Sequence, residues 1–427
     1  MNYRFRITLA ALLTIVAPIL AGPAGAARNL TLDEAYRLTL KHSEAIAIGQ
    51  ESVAEAMARV DELQSVVLPQ LGIRATEVLQ DPAADNLGGG LSGSFVASSR
   101  PQVNLTLHQN LFTGFREFMA LDAAKAQGEG LALRKTRAEH LLYLDVANAY
   151  LDLLATQRQI QIRQTIVNVT TDRVAELNDR VRLGRSRSSE SLAAQAQLAQ
   201  VQADLEGMKK QESLAQEVLQ FLAGVSDNIA PRDLDLPAAP TLKEAVEKSA
   251  GRPDVIARRK DVEAARLAAD IAGRGMWPVI AADGNYYLER HGFQAPIKWD
   301  ATISASIPLY SGGAVGAQAK QAEARLRAAR QALSLAERQA ALEVRSAYED
   351  VTSGVRVTKA LEQASNLSEA NVKAQTQDYR LGLVNNLDVL GAFNSLEATK
   401  LQWDNARIQT LRAAVRLQVA QGGLVPQ

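Results

Sequence analysis

Leu111-Phe112-Thr113-Gly114 and Leu309-Tyr310-Ser311-Gly312 are one phrase written twice, and the spacing between the copies decides the fold. Two further pairs keep the same offset. Tyr150-Leu151-Asp152 recurs as Tyr348-Glu349-Asp350, and Val181-Arg182-Leu183-Gly184 recurs as Tyr379-Arg380-Leu381-Gly382. The differences 309 − 111, 348 − 150 and 379 − 181 all equal 198. An offset held over about 70 residues leaves no room for an insertion or deletion between the phrases. A long rod has that property and a loop-rich enzyme domain does not. The period also lies far above the roughly 20–50 residues of solenoid repeats. The chain therefore reads as a duplicated half-molecule: a first repeat over 27–225, a linker over 226–240 and a second repeat over 241–427.

Outward from each phrase, the same elements are expected in the same order. Ahead of it lie alternating stretches. Val103, Leu105 and Leu107 alternate with Asn104, Thr106 and His108, and Ile303, Ala305 and Ile307 alternate with Thr302, Ser304 and Ser306. This period of two marks strands with two unlike faces. Leu71 to Gln80 and Ala281 to Arg290 are weaker strand candidates, so each repeat offers two strands joined by a loop. Further upstream, Thr31 with Glu34 and Thr241 with Glu244 have capping-box spacing. Each starts a helical segment, which Pro69 ends in the first repeat and Pro278 in the second.

Behind the phrase runs a very long helix. No proline interrupts Phe115 to Arg182, and apolar residues recur at helical spacing through Leu144, Leu151, Ile162, Val169 and Leu177. At about 1.5 Å per residue such a rod is roughly 100 Å long. Its twin runs from about Val315 to Arg380. Gly184 and Gly382 end the rods as C-cap glycines, and second helices return from Glu190 and Leu387. Pro231, Pro237 and Pro240 mark the linker.

Composition agrees with packed helices. Only 5% of the 427 residues are aromatic, and formal net charge is zero, so no basic surface invites nucleic acid. Four scattered histidines and no cysteine leave no zinc cluster, and no cofactor is expected. No nucleophile–base pair suggests an enzyme. The first 26 residues read as a secretory signal: Arg4 and Arg6, an apolar core from Leu9 to Leu20, then small residues such as Ala24-Gly25-Ala26. Gly88-Gly89-Gly90-Leu91-Ser92-Gly93 matches a bare nucleotide-loop pattern, but no βαβ unit surrounds it, so it is expected to be a surface loop.

Strands of about 10 residues suit a tilted bilayer crossing. A four-stranded open sheet does not, because its unpaired edges would face hydrocarbon. Closed transmembrane barrels start at about 8 strands. Several chains must then share one barrel: two would give 8 strands and three would give 12. Trp277 and Trp299 stand at strand ends, with Tyr286, Tyr287 and Tyr310 nearby, which fits an interfacial girdle that would include Trp277, Trp299 and Tyr310. The alternative is that these aromatics form the core of a small soluble sheet.

In its order of elements the chain resembles the TolC-like outer membrane efflux proteins, the outer membrane factors. The resemblance rests on the two-fold repeat, on the L-[FY]-[ST]-G phrase, and on Tyr379, Gly382, Asp388, Val389 and Leu390 as a Y-x-x-G-x-x-x-x-x-D-V-L motif. It implies a mainly α homotrimer with a small transmembrane β part. A 12-stranded barrel would sit in the outer membrane and an α-helical coiled-coil tunnel in the periplasm. The protein would be the passive conduit of a tripartite efflux or type I secretion system. Its partners would be outer membrane lipid, a periplasmic adaptor and an inner-membrane pump of RND, ABC or MFS type.

The resemblance also assigns residues. Arg182, Leu183 and Gly184, and Arg380, Leu381 and Gly382, would form hairpin tips that dock the adaptor, besides ending the helices. Tyr379 and Asp388 would sit at the periplasmic constriction and gate it. Where some members carry a second acid this chain has Gly391, and where some carry an arginine it has Val384. Packing and Asn385 or Asn386 are left to hold the constriction. Asp388 also has a plainer role open to it, as a first-turn acid that caps its helix. Two other functions compete: a soluble periplasmic coiled-coil scaffold or adaptor, and a periplasmic enzyme.

Overall fold

A computed structural model of the chain describes residues 28–79, 99–236, 241–291 and 294–423. The expected signal peptide, the Gly88–Gly93 loop and the last four residues of the linker lie outside the described residues. The first repeat opens with β1 (Arg28–Leu30), α1 (Leu32–His42) and α2 (Glu44–Ser65). Thr31 caps α1 and closes a full capping box with Glu34. The single helix expected over Thr31 to Leu68 is broken at Ser43, whose extended backbone ends α1 and whose hydroxyl accepts the Ile46 N–H to start α2. Serine competes for helix-end amides better than it continues a helix.

The strands β2 (Gln70–Leu79) and β3 (Ser99–Phe112) follow. Next come α3 (Arg116–Arg182), 67 residues and thus about 100 Å long, and the returning α4 (Ser188–Ala223). The second repeat holds α5 (Leu242–Ser249), α6 (Pro253–Gly273), β5 (Val279–Arg290), β6 (Trp299–Ser306), α7 (Ala314–Arg380) and α8 (Asn386–Ala420), once the three-residue β4 (Ile229–Pro231) has been passed. Its upstream segment is also two helices rather than one. Pro253 occupies the first turn of α6, where its missing N–H costs nothing, and so enforces the break. The rod α7 repeats the 67 residues of α3.

The stretch from Ser226 was expected to be a plain linker. Instead β4 pairs in parallel with β1, and Tyr150 locks the pair by donating to both Leu30 O (2.9 Å) and Arg232 O (2.8 Å). Burial pushes the Tyr150 hydroxyl up to about 12. Asp233 in the same stretch pairs with Arg158 and Arg407, one from each repeat. Burial raises its carboxyl, and the two guanidinium groups more than offset that, holding it below the usual range. Around this joint packs the largest core, with Leu30, Tyr36, Tyr143, Val146, Leu153, Leu219 and Ile229 buried. A three-residue strand carries too little pattern to be seen in sequence.

The four long strands form one antiparallel sheet in the order β2-β3-β5-β6. Its register sorts the residues onto two faces. Leu71 and Ile73 stand opposite Leu107 and Leu105, Tyr286 is flanked by Leu105 and Trp299, and Ala282 by Gln109 and Ile303. The other face carries Asn104, Thr106, His108, Asp283, Asn285, Asp300 and Thr302. In an ordinary domain an apolar face would pack on a core. Here Leu71, Ile73 and Ile303 are each more than 70% exposed.

Candidate gate at the hairpin tips

Each long hairpin turns on a left-handed glycine, Gly184 at φ 69° and Gly382 at φ 76°. At each tip the glycine N–H bonds three residues back and the next N–H five residues back: Gly184 to Val181 O and Arg185 to Arg180 O, Gly382 to Tyr379 O and Leu383 to Asp378 O. This is the Schellman arrangement, and its left-handed turn residue favours glycine. Leu183 and Leu381 cap the rods and are 65% and 66% exposed, with Arg182 and Arg380 exposed or nearly so beside them. Leu383 and Leu387 add further exposed apolar surface at the second tip.

Beneath the tips the two repeats are tied together. Tyr379 is buried, with the Arg173 guanidinium over its ring at 3.9 Å and that of Arg180 at 4.8 Å. Arg173 is itself buried and donates from Nε (3.1 Å) and Nη2 (3.0 Å) to Asn386 Oδ1, and from Nη1 (2.7 Å) to Glu176. Glu176 also accepts from Arg180 at 2.8 Å. Partial burial would raise the Glu176 carboxyl, but Arg173 and Arg180 outweigh it and hold the group below its ordinary 4.5. Asn386 Nδ2 reaches back to Glu190 O (3.4 Å) on the first hairpin. Leu177, Ala194, Tyr379 and Val389 close over the cluster. The arrangement is a charge-assisted clamp between α3 and the start of α8, sealed by apolar packing.

Of the residues picked from sequence, Tyr379 and Asn386 are brought together here. Asn385 and Asp388 are not part of the clamp. Asn385 caps α8, its Oδ1 accepting from Leu387 N (2.8 Å) and Asp388 N (3.2 Å), and Asp388 returns a bond to Asn385 N (3.0 Å). Asp388 remains exposed while it does so. Arg173, Glu176 and Arg180 were missed. They lie at i, i+3 and i+7 on one helix face, which the sequence displays, but what Arg173 grips in the other repeat, Asn386, is 213 residues away and no local signal names it.

At the opposite end of the molecule, the polar face of the sheet forms a hydrogen-bonded band. Asn104 donates to Asn285 (2.9 Å), Asn285 to Asp300 (2.8 Å) and Tyr287 to Asp300 (2.7 Å), while His108 and Asp283 share a bond of 2.8 Å. Tyr287 thus belongs to the polar face and not to an aromatic girdle. The girdle candidates separate into two levels. Trp299 pairs across the sheet with Tyr286 near the end far from the helices. Trp277 and Tyr310 lie next to the helices, and Tyr310 is 88% exposed. Seven residues of β5 separate the levels, about 23 Å along the strand, close to the height of a transmembrane barrel's apolar band. No helix among the described residues is long and apolar enough to cross a membrane.

A sheet with one apolar and one polar face, set on two paired helical rods, is the layout of a channel-tunnel. The family profile described as outer membrane efflux protein matches residues 35–225 and 246–423, and the chain belongs to that family. Its members are channels of the bacterial outer membrane and not enzymes, which sets aside the scaffold and enzyme readings. The chain is 23% identical to the outer membrane protein TolC of Escherichia coli over 87% of its own length and 78% of that protein's. It is 23% identical to the outer membrane efflux protein BepC of Brucella suis, covering 97% of this chain and 90% of that one. Among solved structures, VceC of Vibrio cholerae superposes with a TM-score of 0.81 at 21% identity, over 92% of this chain and 97% of that chain. The outer-membrane channel OprN superposes at 0.80 with 19% identity, over 99% and 98%.

Proposed function

We propose that three copies of this chain close one 12-stranded barrel and a continuous helical tunnel, forming the passive exit duct of a tripartite export machine. The observation that carries this reading is the open sheet. Its apolar face is bare, and among the described residues of a single chain β2 and β6 each have one unpaired edge. In hydrocarbon each unpaired backbone group costs several kcal/mol, so the edges must be satisfied by other copies. Energy for transport then comes from an inner-membrane pump of RND, ABC or MFS type, reached through a periplasmic adaptor. The exposed leucines at Leu183, Leu381, Leu383 and Leu387 supply the apolar docking surface for that adaptor, flanked by Arg182 and Arg380.

In this reading the Arg173 clamp keeps the tunnel entrance narrow. Opening is a swing of the second hairpin, which draws Tyr379 and Asn386 away from α3. Asp388, exposed just beyond the clamp, faces the solute path and filters cations. Efflux of small toxic compounds and type I secretion of proteins use the same duct, and the pump selects between them.

The test uses the absence of cysteine. Single cysteine pairs placed on the two sheet edges, one on β2 and one on β6, are oxidised in purified outer membranes. The expected product is a covalent ladder that ends at three chains. A ladder that ends at two, or no crosslink at any register, overturns the shared barrel.

A further inference from the structure

The 198-residue offset between the repeats also says what the outer flanks of the chain should meet. Within one chain the two hairpins pack side by side in the order α4-α3-α8-α7, joined by α3 against α8. A ring of such hairpins closes only if α7 of one copy meets α4 of the next, and that contact is the α3–α8 joint moved on by one repeat. A residue of α3 then corresponds to the residue 198 later in α7, and a residue of α8 to the one 198 earlier in α4.

Three pairs from the joint within the chain can be carried across by this rule. Arg158 and Asp404 form an ion pair at 3.2 Å, and their counterparts are Arg356 and Glu206, again of opposite charge. Leu151 and Ile408 share a buried apolar cluster, and their counterparts are Glu349 and Lys210, both charged and opposite in sign. Arg163 and Glu397 pair at 3.2 Å, and their counterparts are Leu361 and Ala199, both apolar. Wherever one side has changed character, the other has changed with it. Two faces that never met would as readily set a charge opposite a leucine.

The same faces are left unsatisfied in a single chain. Glu206, Lys210, Glu349 and Arg356 are all exposed. Among the described residues Lys210, Glu349 and Arg356 have no ion-pair partner within the chain, and Glu206 holds only Lys209, one helical turn away at 2.7 Å. Toward the sheet the bare surface turns apolar, with Phe221 on α4 84% exposed and Leu342 on α7 67% exposed. The counterpart of Phe221 is Val419, which is buried within the chain. From this we infer that the flanks carry a code that selects the neighbour: Glu349 pairs with Lys210 of the next copy, and Arg356 with Glu206 of the next copy. Exposed ion pairs contribute little, but a flank-to-flank contact takes these out of water, and a neighbour without the matching charges leaves one unpaired there. The occupant is a second copy of this chain, because its own opposite flank supplies both the complementary charges and the apolar surface beside them. The inference rests on the trimeric duct above and goes beyond it in saying which residues choose the partner.

The test exchanges charges. Glu349→Lys and Lys210→Glu are made singly and together in the full chain, and the melting midpoint of the oligomer is followed on gels after extraction into mild detergent. Each single variant sets like charges against each other at every contact between copies and should lower the midpoint by several degrees. The double variant restores opposite charges and should recover the parent value. Single variants as stable as the parent overturn the code. A double variant no more stable than the singles also overturns it, since damage to folding would accumulate rather than cancel. Selection is read separately. Tagged parent and untagged double variant, co-expressed, would meet across like charges, so the untagged chain should co-purify several-fold less than untagged parent does. Equal recovery overturns the selection. The cysteine ladder between β2 and β6 separates this inference from the duct. A ladder ending at three, together with any of these negative results, strikes the code and leaves the duct standing, whereas a ladder ending at two, or no ladder at any register, sinks both.

Discussion

The two hairpin tips share a backbone and differ in almost everything their side chains do. Both end a 67-residue rod, both turn on a left-handed glycine, and both expose a leucine at the cap. Yet α8 begins with a capping box of Asn385 and Asp388, while α4 begins at Arg187 without a side-chain cap, its Glu190 bonded to Ser186 instead. Arg173, Glu176 and Arg180 of the first repeat correspond by the 198-residue offset to Asn371, Ala374 and Asp378 of the second, none of which could repeat the clamp. Duplication kept the scaffold, whose turns both place glycine in the left-handed region. Divergence then made the copies complementary, one supplying the cations and the other the tyrosine and amide they grip.

Breaking the feature that the tips share should have the largest effect. Leu183→Glu or Leu381→Glu places a charge on the proposed docking surface, and export-dependent drug resistance should be lost while the heat-resistant oligomer still forms on gels. Full resistance with either variant removes that tip from docking. Next comes the feature that sets them apart. Arg173→Ala strands the buried Asn386 oxygen, a cost of about 1–3 kcal/mol. It should raise single-channel conductance in planar bilayers, and conductance equal to the parent would show that the clamp does not narrow the entrance.

Acid should act on the same clamp more gently. The Glu176 carboxyl is held below 4.5, so its contribution is complete above that value and is lost as pH falls through the lower folded-state value. Conductance should therefore rise only below about pH 4.5, and Glu176→Gln should remove that rise. A smaller effect is expected at Asp388→Asn, where block by divalent cations weakens and the loss of capping costs about 0.5–1 kcal/mol. Identical block in the variant would take Asp388 off the solute path. The smallest change tests the symmetry itself. A Cβ at Gly184 or at Gly382 meets no atom within 4 Å, so Gly184→Ala and Gly382→Ala should each cost only the left-handed penalty, about 1 kcal/mol, and equally. Unequal melting shifts would mean the tips are not the same turn.

Much of this was written in the chain. The alternation at Val103–His108 and Ile303–Ile307 assigned the strand faces, because a period of two survives any tertiary context that leaves both faces different. The tip glycines were legible because a C-cap is a local device. Ser43 and Pro253 were equally local, and they were overlooked because the helical pattern continued on both sides of them. What sequence could not give was the clamp. Arg173 reads as one more charged residue on a long helix, and only packing over 213 positions makes it the partner of Asn386. The linker misled for the opposite reason. Its prolines announced a loop, but Ile229 and Asp233 fasten it to both repeats.

The equal length of the two rods has an evolutionary corollary. Each added residue advances a helix by about 1.5 Å and turns everything beyond it by about 100°. A single-residue deletion in α3 alone would aim Arg173 away from Asn386 and set one tip out of level with the other. Length in this molecule can therefore drift only in quanta, near seven residues at a time, taken together in both legs of both hairpins. Relatives that reach a deeper or shallower periplasm should differ by such matched blocks, and lone gaps should cluster in the loops of the barrel.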